Sequence, residues 1–268
     1  MTSVNTKDIF METFMEECAM GQSWLRPRPP EGMPCADLRF FMRGALLDET
    51  GGRASASRAA LTPLLGDSSA FPLIAPKQVH GTTILDAVKE NTLPSLVEGD
   101  GILLDTEGLE ASLRFGDCAP VVVCSSRKPH WVLMMHSGYK GTVQNIVKTG
   151  VEKVRIRYGA SAVAASWAWV GPCIGGKNYP RDREEWTLRG LDVFRKENVV
   201  SEGTKVFFDL AGELRLQLGE AGVPKERIFL SGIDAFACRD RCYSYRGGDR
   251  EDRMFLWARL LPQKMFSA

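Results

Sequence analysis

Apolar positions along the chain follow two spacings. Short continuous runs bounded by turn residues predict buried strands. They are Leu38–Leu47, Thr82–Ala87, Ile102–Leu104, Ala119–Cys124, Trp131–Met135, Trp167–Val170, Ile228–Leu230 and Met254–Leu260. The polar stretch Ser125–Pro129 makes a hairpin of the fourth and fifth runs, with His130 at its loop. Elsewhere the spacing is helical. Val143, Ile146, Val147, Gly150, Val151 and Val154 paint one face of a helix whose N-cap is predicted at Thr142. Leu210, Leu214, Leu218 and Ala221 predict a second helix, capped by Asp209. A third is predicted over Glu184–Glu197, and a short one over Ser57–Leu65 inside the Gly-, Ser-, Ala- and Thr-rich loop of residues 48–70. Residues 1–37 read as a helix running into an extended lead-in rich in proline (Pro27, Pro29, Pro30, Pro34).

Helices and strands alternate, and hairpins intrude. That favours an α/β chain of mixed, α+β character over a purely parallel, doubly wound sheet. The expected architecture is a single-domain layered sandwich, a mixed β-sheet core covered by helices. There is no internal repeat, and no linker is long enough to separate the chain into independent domains. Residues 1–37 are expected as an N-terminal extension packed on one catalytic domain of residues 38–268.

Composition narrows the class of function. The chain has 268 residues, 44% hydrophobic and 25% charged, with a net charge of +1. No basic field exists to drive nucleic-acid binding. No apolar run is long enough to span a bilayer. The first residues, acidic at their centre and without a long apolar core, do not read as a secretory signal. Seven cysteines, odd in number and scattered, point to reduced thiols and a cytoplasmic protein. Nothing in the sequence sets an oligomeric state.

The candidate chemistry lies in the histidines. There are only three, and two occupy glycine-bearing turns: His80 in Gln78-Val79-His80-Gly81, and His136 at the start of His136-Ser137-Gly138-Tyr139-Lys140-Gly141-Thr142. Between them, Cys118 sits in the turn Gly116-Asp117-Cys118-Ala119-Pro120. Two imidazoles and a thiol, each at an element boundary, are a three-ligand metal set with one position open, the pattern of catalytic zinc. Soft thiolate plus imidazole suits Zn²⁺, with copper as competitor. Such an ion activates water at neutral pH or polarises a substrate oxygen. The same residues also permit a metal-free hydrolase, with Cys118 as nucleophile and His136 or His80 as its base. Asp117 either orients a ligand and shuttles a proton or caps its turn. Lys140, Gly138, Gly141 and the helix start at Thr142 suit an anion such as phosphate, and Arg246 could add a bidentate contact. Their bland readings are a solvated lysine and a surface arginine. His130, on a polar turn, reads as exposed. Cys238 and Cys242, four apart without a partner motif, read as structural, and the glycine-rich Gly171–Gly176 as a turn lining a pocket rather than a nucleotide cradle.

Taken together, QVHG (78–81), EGDGILL (98–104), GDCAPVVV (116–123), HSGYKGT (136–142), GPCIG with Tyr179, FDL (208–210) and CYSYRGG (242–248) resemble the YfiH-like, or laccase-domain, family of multicopper polyphenol oxidases. The resemblance runs from about Phe71 to the end of the chain. It implies a mixed-sheet α/β fold and a zinc held by His80, Cys118 and His136. It also implies phosphorolysis of adenosine, inosine, guanosine and methylthioadenosine, with adenosine deamination beside it. Small-molecule partners, a purine nucleoside and phosphate, follow from it. The chain departs from the family where Tyr139-Lys140 replace the usual Trp-Arg, where Gly247 follows Arg246 in place of a second Arg, and where Leu214 replaces an Asn. Of the family's N-terminal Thr-Arg-x-Gly-Gly pattern only Arg43-Gly44 is visible. A copper-dependent phenol oxidase is the rival enzyme, disfavoured by a chain with three histidines. A non-catalytic scaffold that kept the fold is the remaining alternative.

Overall fold

A computed structural model describes residues 13–29, 35–66 and 71–262. Two six-stranded mixed sheets face each other. The first has the order β1 (Phe14–Ala19), β2 (Gln22–Pro27), β3 (Ala36–Gly44), β15 (Met254–Leu260), β7 (Glu110–Phe115), β4 (Leu73–Ile74). The second runs β14 (Ile228–Leu230), β10 (Trp167–Val170), β8 (Ala119–Cys124), β9 (Val132–Ser137), β6 (Gly101–Leu104), β5 (Ile84–Asp86). Most pairs are antiparallel; β4–β7, β10–β14 and β5–β6 are parallel. A small antiparallel sheet, β11 (Pro180–Asp182), β13 (Lys205–Phe208), β12 (Val199–Glu202), stands beside them.

The second sheet is buried on both faces, which is why its strands read as continuous apolar runs rather than alternations. On one face Val122, Cys124, Val132, Met134 and Trp169 join Phe40, Leu113, Phe115 and Leu256 of the first sheet in one core. Phe40 and Trp169 meet edge-on across that layer, ring centroids 5.9 Å apart. On the other face Val121, Val123, Leu133 and Met135 pack on two helices, α4 (Ile146–Tyr158) and α7 (Leu210–Glu220). The remaining helices are α1 (Ala54–Ala60), α2 (Thr62–Leu65), α3 (Tyr139–Val143), α5 (Ala160–Ala164) and α6 (Glu185–Val193). The layers are therefore sheet, sheet and helices, the mixed sandwich expected. No helix among the described residues is long and apolar enough to cross a membrane.

Four local expectations change. The expected N-terminal helix lies partly outside the described residues, and where the chain is described it is the β1–β2 hairpin, turning at Met20 and Gly21 with φ of 54° and 70°. Two consecutive left-handed residues make the turn whose twist matches paired strands. Helix formation near Thr142 begins earlier, at Tyr139, and breaks at Asn145, which adopts a left-handed conformation. Asn145, not Thr142, caps the long helix, its side chain accepting from the Lys148 N–H at 2.9 Å. Thr142 is fully buried, and its hydroxyl donates to the Gly138 carbonyl at 3.0 Å. The helix expected to Glu197 ends at Val193, where Phe194 turns extended. Strand β7, at the centre of the first sheet, has no counterpart among the expected elements.

Candidate metal centre and cleft

The chain crosses from the first sheet to the second twice, and both crossings carry candidate ligands. Between β4 and β5 lies the loop with His80; between β7 and β8 lies the turn Gly116-Asp117-Cys118. His80 and Asp117 both hold positive φ, 59° and 86°. His136 stands near the end of β9, where Pro120 of β8 is its cross-strand partner. The three donor atoms of His80, Cys118 and His136 lie within 4.8 Å of one another. The two imidazoles meet edge-on, centroids 4.9 Å apart. Gly138 completes the approach, since a β-carbon there would stand 2.6 Å from the Cys118 Sγ and 3.1 Å from the His80 ring.

Asp100 builds this arrangement, and sequence reasoning passed over it. Its side chain is fully buried at the turn before β6. Oδ1 accepts the His80 N–H at 3.0 Å and lies 2.8 Å from His136 Nδ1. Oδ2 accepts the N–H groups of Val79 and Gly81 at 3.1 and 2.7 Å. One carboxylate thus shapes the His80 loop and orients the His136 ring so that Nε2 would be the nitrogen to meet an ion, the carboxylate–histidine pairing typical of metal sites. Gln78 and Arg114 clamp the same loop: Gln78 Nε2 donates to the Arg114 carbonyl at 2.9 Å, and the Arg114 N–H to Gln78 Oε1 at 2.9 Å. The sequence signal was an aspartate between two glycines immediately ahead of an apolar strand.

Electrostatics fit a ligand set. Burial pushes the Cys118 thiol up, but the neighbouring His136 and His80 outweigh it and bring it down to about 6. Burial pushes His136 down, but Cys118 and Asp100 raise it to about 9. These directions favour a thiolate facing an imidazole, the donor forms that a divalent ion would require there. The donor set of one thiolate and two imidazoles fits zinc, and copper as well.

Asp117 is buried and its carboxylate is engaged on both oxygens: Oδ1 accepts from the Ser244 hydroxyl at 2.5 Å, Oδ2 from the Arg246 N–H at 2.7 Å. It therefore ties the turn carrying Arg246 to the turn carrying Cys118. Burial raises its pKa, against the pull of those two donors. Lys140 and Arg246 are exposed, and both line the cleft of about 900 Å³ that also reaches His80, Cys118 and His136. The Lys140 ammonium sits 5.0 Å from the Trp186 ring, and the Arg246 guanidinium 5.1 Å from the Tyr179 ring. The helix start expected at Thr142 lies at Tyr139, after Gly138, and the Thr142 N–H is taken by the Gly138 carbonyl at 2.9 Å, so Thr142 offers no backbone donor to an anion. His130 is half-buried and apart from the trio. Cys242 is buried, its N–H donating to the Cys238 carbonyl at 2.8 Å. The turn Gly171–Gly176 lines a second cavity of about 720 Å³.

Residues 16–258 match the family described as multi-copper polyphenol oxidoreductase laccase. The chain belongs to that family. A relative from Rickettsia conorii, named purine nucleoside phosphorylase RC0672, is 28% identical over 54% of this chain and 59% of its own length. The matched portion of the chain thus spans about three fifths of that relative. A purine nucleoside phosphorylase from Aquifex aeolicus is 24% identical over 67% of this chain and 78% of its own length. Among solved structures, YlmD from Geobacillus stearothermophilus superposes with a TM-score of 0.79 at 23% identity, covering 94% of this chain and all of that one. The Bacillus licheniformis protein YfiH does so with 0.76 at 20% identity, over 89% of this chain and 96% of that one. These two likenesses establish the fold. Within this laccase-domain chain, one group of three side chains among the described residues could hold a metal ion, and it is His80, Cys118 and His136.

The departures at 139 and 140 have a structural setting. Tyr139 packs between Phe194 and Phe208, and its hydroxyl donates to the Trp186 carbonyl at 3.0 Å. Gly190 makes room for it, since a β-carbon there would stand 1.8 Å from the Tyr139 oxygen. The tyrosine forms one wall of the cleft, with the Arg181 guanidinium 4.0 Å from its ring centroid.

Proposed function

We propose that this chain is a zinc-dependent purine nucleoside phosphorylase, with adenosine deamination as a second activity of the same centre. The observation that carries the reading is a His/Cys/His trio, its donors within 4.8 Å, opening on a cleft that also presents Lys140 and Arg246. The names of the relatives from R. conorii and A. aeolicus support it. His80, Cys118 and His136 would hold the ion, which supplies Lewis acidity when bound. Asp100 fixes the tautomer of His136. Lys140 and Arg246 bind phosphate, Lys140 as a point charge and Arg246 through its guanidinium fork. Asp117 keeps Arg246 in register with Cys118 through its backbone. The aromatic walls Tyr139 and Tyr179 accept the purine and exclude water. Phosphate oxygen then attacks the ribose anomeric carbon as the base departs. The cysteines, all free, suit a reducing cytoplasm.

The test is incubation of zinc-loaded protein with inosine or adenosine, with and without phosphate. Released hypoxanthine or adenine that depends on phosphate, and that disappears in the His80→Ala, Cys118→Ala and His136→Ala variants, is the expected result. No released base and no inosine formed from adenosine would sink the proposal. Copper oxidation of phenols is separated by elemental analysis together with oxygen uptake. A Cys118-centred hydrolase is separated by alkylation, which bound metal would block in the proposed enzyme and leave untouched in the hydrolase.

A further inference from the structure

The charge of the cleft exceeds what one phosphate ion needs. Arg114, Lys140, Arg246, Arg250 and Arg253 all line it, and none of the five pairs with a carboxylate among the described residues. Their contacts are to carbonyls, amides and rings. Arg114 donates to Gln78 Oε1 and the Pro76 carbonyl, and Arg253 to the carbonyls of Asp249, Arg250 and Asp252. Arg246 reaches the Pro180 carbonyl, Lys140 faces Trp186, and Arg250 lies 4.4 Å from the Tyr245 ring. Against these five cations the cleft offers the carboxylates of Asp117 and Glu251. The chain as a whole carries only +1, so the surplus is local.

The cations fall into two sets. Lys140 and Arg246 stand with the aromatic wall of Tyr179 and Trp186. Arg250 and Arg253, on the same loop as Arg246, face the Tyr245 ring instead, and Arg253 also lies against Gly116, two residues beyond Arg114. Both Arg114 and Arg253 line the cleft, and the Arg114 charge is opposed first by its burial and then by the Arg253 charge. Arg253 also feels the buried Asp117 carboxylate, but both oxygens of that group are taken by Ser244 and the Arg246 N–H. An anion placed between the two guanidinium groups therefore still relieves them. A phosphate group carries about −1.5 to −2 at neutral pH, so a single attacking phosphate leaves the second set uncompensated.

We infer that the purine substrate carries a phosphomonoester of its own, held by Arg114 and Arg253, so that the preferred substrate class is a purine nucleoside monophosphate. This rests on the phosphorylase reading above and deepens it. Inorganic phosphate occupies the Lys140 and Arg246 set. One of its oxygens forms the bond to C1′, and the C1′–N9 bond breaks with its electron pair staying on the base. The proton given up by phosphate passes to the base nitrogen. The products are the free base and a ribose bearing two phosphates.

The experiment compares zinc-loaded protein acting on adenosine and on adenosine 5′-monophosphate, with phosphate present, and measures binding of both compounds by calorimetry. The expected result is a kcat/KM about tenfold or more higher for the monophosphate, with matching tighter binding. In Arg253→Gln the ratio falls toward one, and in Arg253→Lys it is partly restored. Turnover of adenosine equal to or above that of the monophosphate overturns this inference and leaves the phosphorylase reading standing. Should neither compound release base, the phosphorylase reading fails, and calorimetry still decides here: binding of the monophosphate no tighter than adenosine overturns the second anion site.

Discussion

Replacing Gly138 by alanine tests the centre at its tightest contact. The backbone there has φ −80° and ψ −176°, extended values that alanine adopts without strain. The cost is therefore steric and local. A β-carbon at this position would lie 2.6 Å from the Cys118 Sγ. An ordinary non-bonded contact is about 3.5–4.0 Å, so sulfur and carbon must move apart by roughly 1 Å. Metal–ligand distances tolerate only about 0.2 Å, so the displacement is some fivefold beyond what the ion accepts. Losing a partner that merely orients a ligand costs about 10–100-fold in affinity, and displacing the thiolate itself should cost at least that. Overpacking costs about 1–3 kcal/mol of fold stability, partly offset by the stiffer unfolded chain. The metal-free variant should therefore melt a few degrees below the parent while its zinc affinity, read by competition with a chromogenic chelator, falls at least about 100-fold. A variant that binds zinc within about threefold of the parent would refute the assignment of Cys118 as a ligand in this geometry.

Three further substitutions probe the supports. Asp100→Asn turns one acceptor facing backbone N–H groups into a donor. It should cost about 1–3 kcal/mol in chemical denaturation and about 10–100-fold in zinc affinity, and unchanged affinity would remove Asp100 from the centre. Glu110→Ala removes a fully buried carboxylate that accepts from Arg58 Nε at 2.5 Å, so a stability loss of about 3–5 kcal/mol is expected with unchanged activity per folded molecule; a loss below about 1 kcal/mol would show the pair to be dispensable. Gly190→Ala drives a methyl into the Tyr139 hydroxyl, so cleft activity and melting temperature should fall together and recover partially in the Gly190→Ala/Tyr139→Phe double variant; no recovery would mean that the clash lies elsewhere.

Strands buried on both faces were the legible elements of this sequence. Ala119–Cys124 and Trp131–Met135 have no polar interruption, and the observed β8 and β9 follow them to within two residues. Strand β7 was illegible for the opposite reason. Glu110 and Ser112 are polar yet buried, because Arg58 reaches Glu110, so the run never looks apolar. The β1–β2 hairpin was hidden by residues such as Met15, Glu16 and Glu17 that favour helix in isolation, whereas pairing with β3 decides the outcome. At Thr142 a good capping residue was outcompeted, since its hydroxyl is spent within α3 and a left-handed Asn145 starts the next helix. The trio itself was legible because histidine is rare here and each of the three lies at or near an element boundary; Asp100 was not, because an aspartate between glycines also makes an ordinary turn.

The place of the centre follows from topology. Two sheets sharing one core must be joined by chain segments that leave one and enter the other, and such corners are made by bends rather than by regular ladder. Here two of those corners are neighbours, and each holds a non-glycine residue at positive φ, His80 and Asp117. A left-handed L-residue costs roughly 1–2 kcal/mol, so each corner needs outside support to persist. Asp100 supplies it at the first by accepting three consecutive backbone N–H groups, and the Ser244 hydroxyl and Arg246 N–H supply it at the second. Both supports lead back into the centre, one through the His136 ring and one through the turn that carries Arg246. The bonds that hold the two corners in shape are thus the bonds that position His80, Cys118 and His136. Loosening either corner should therefore disturb metal affinity before it disturbs the core, which is held by the apolar contacts between the sheets.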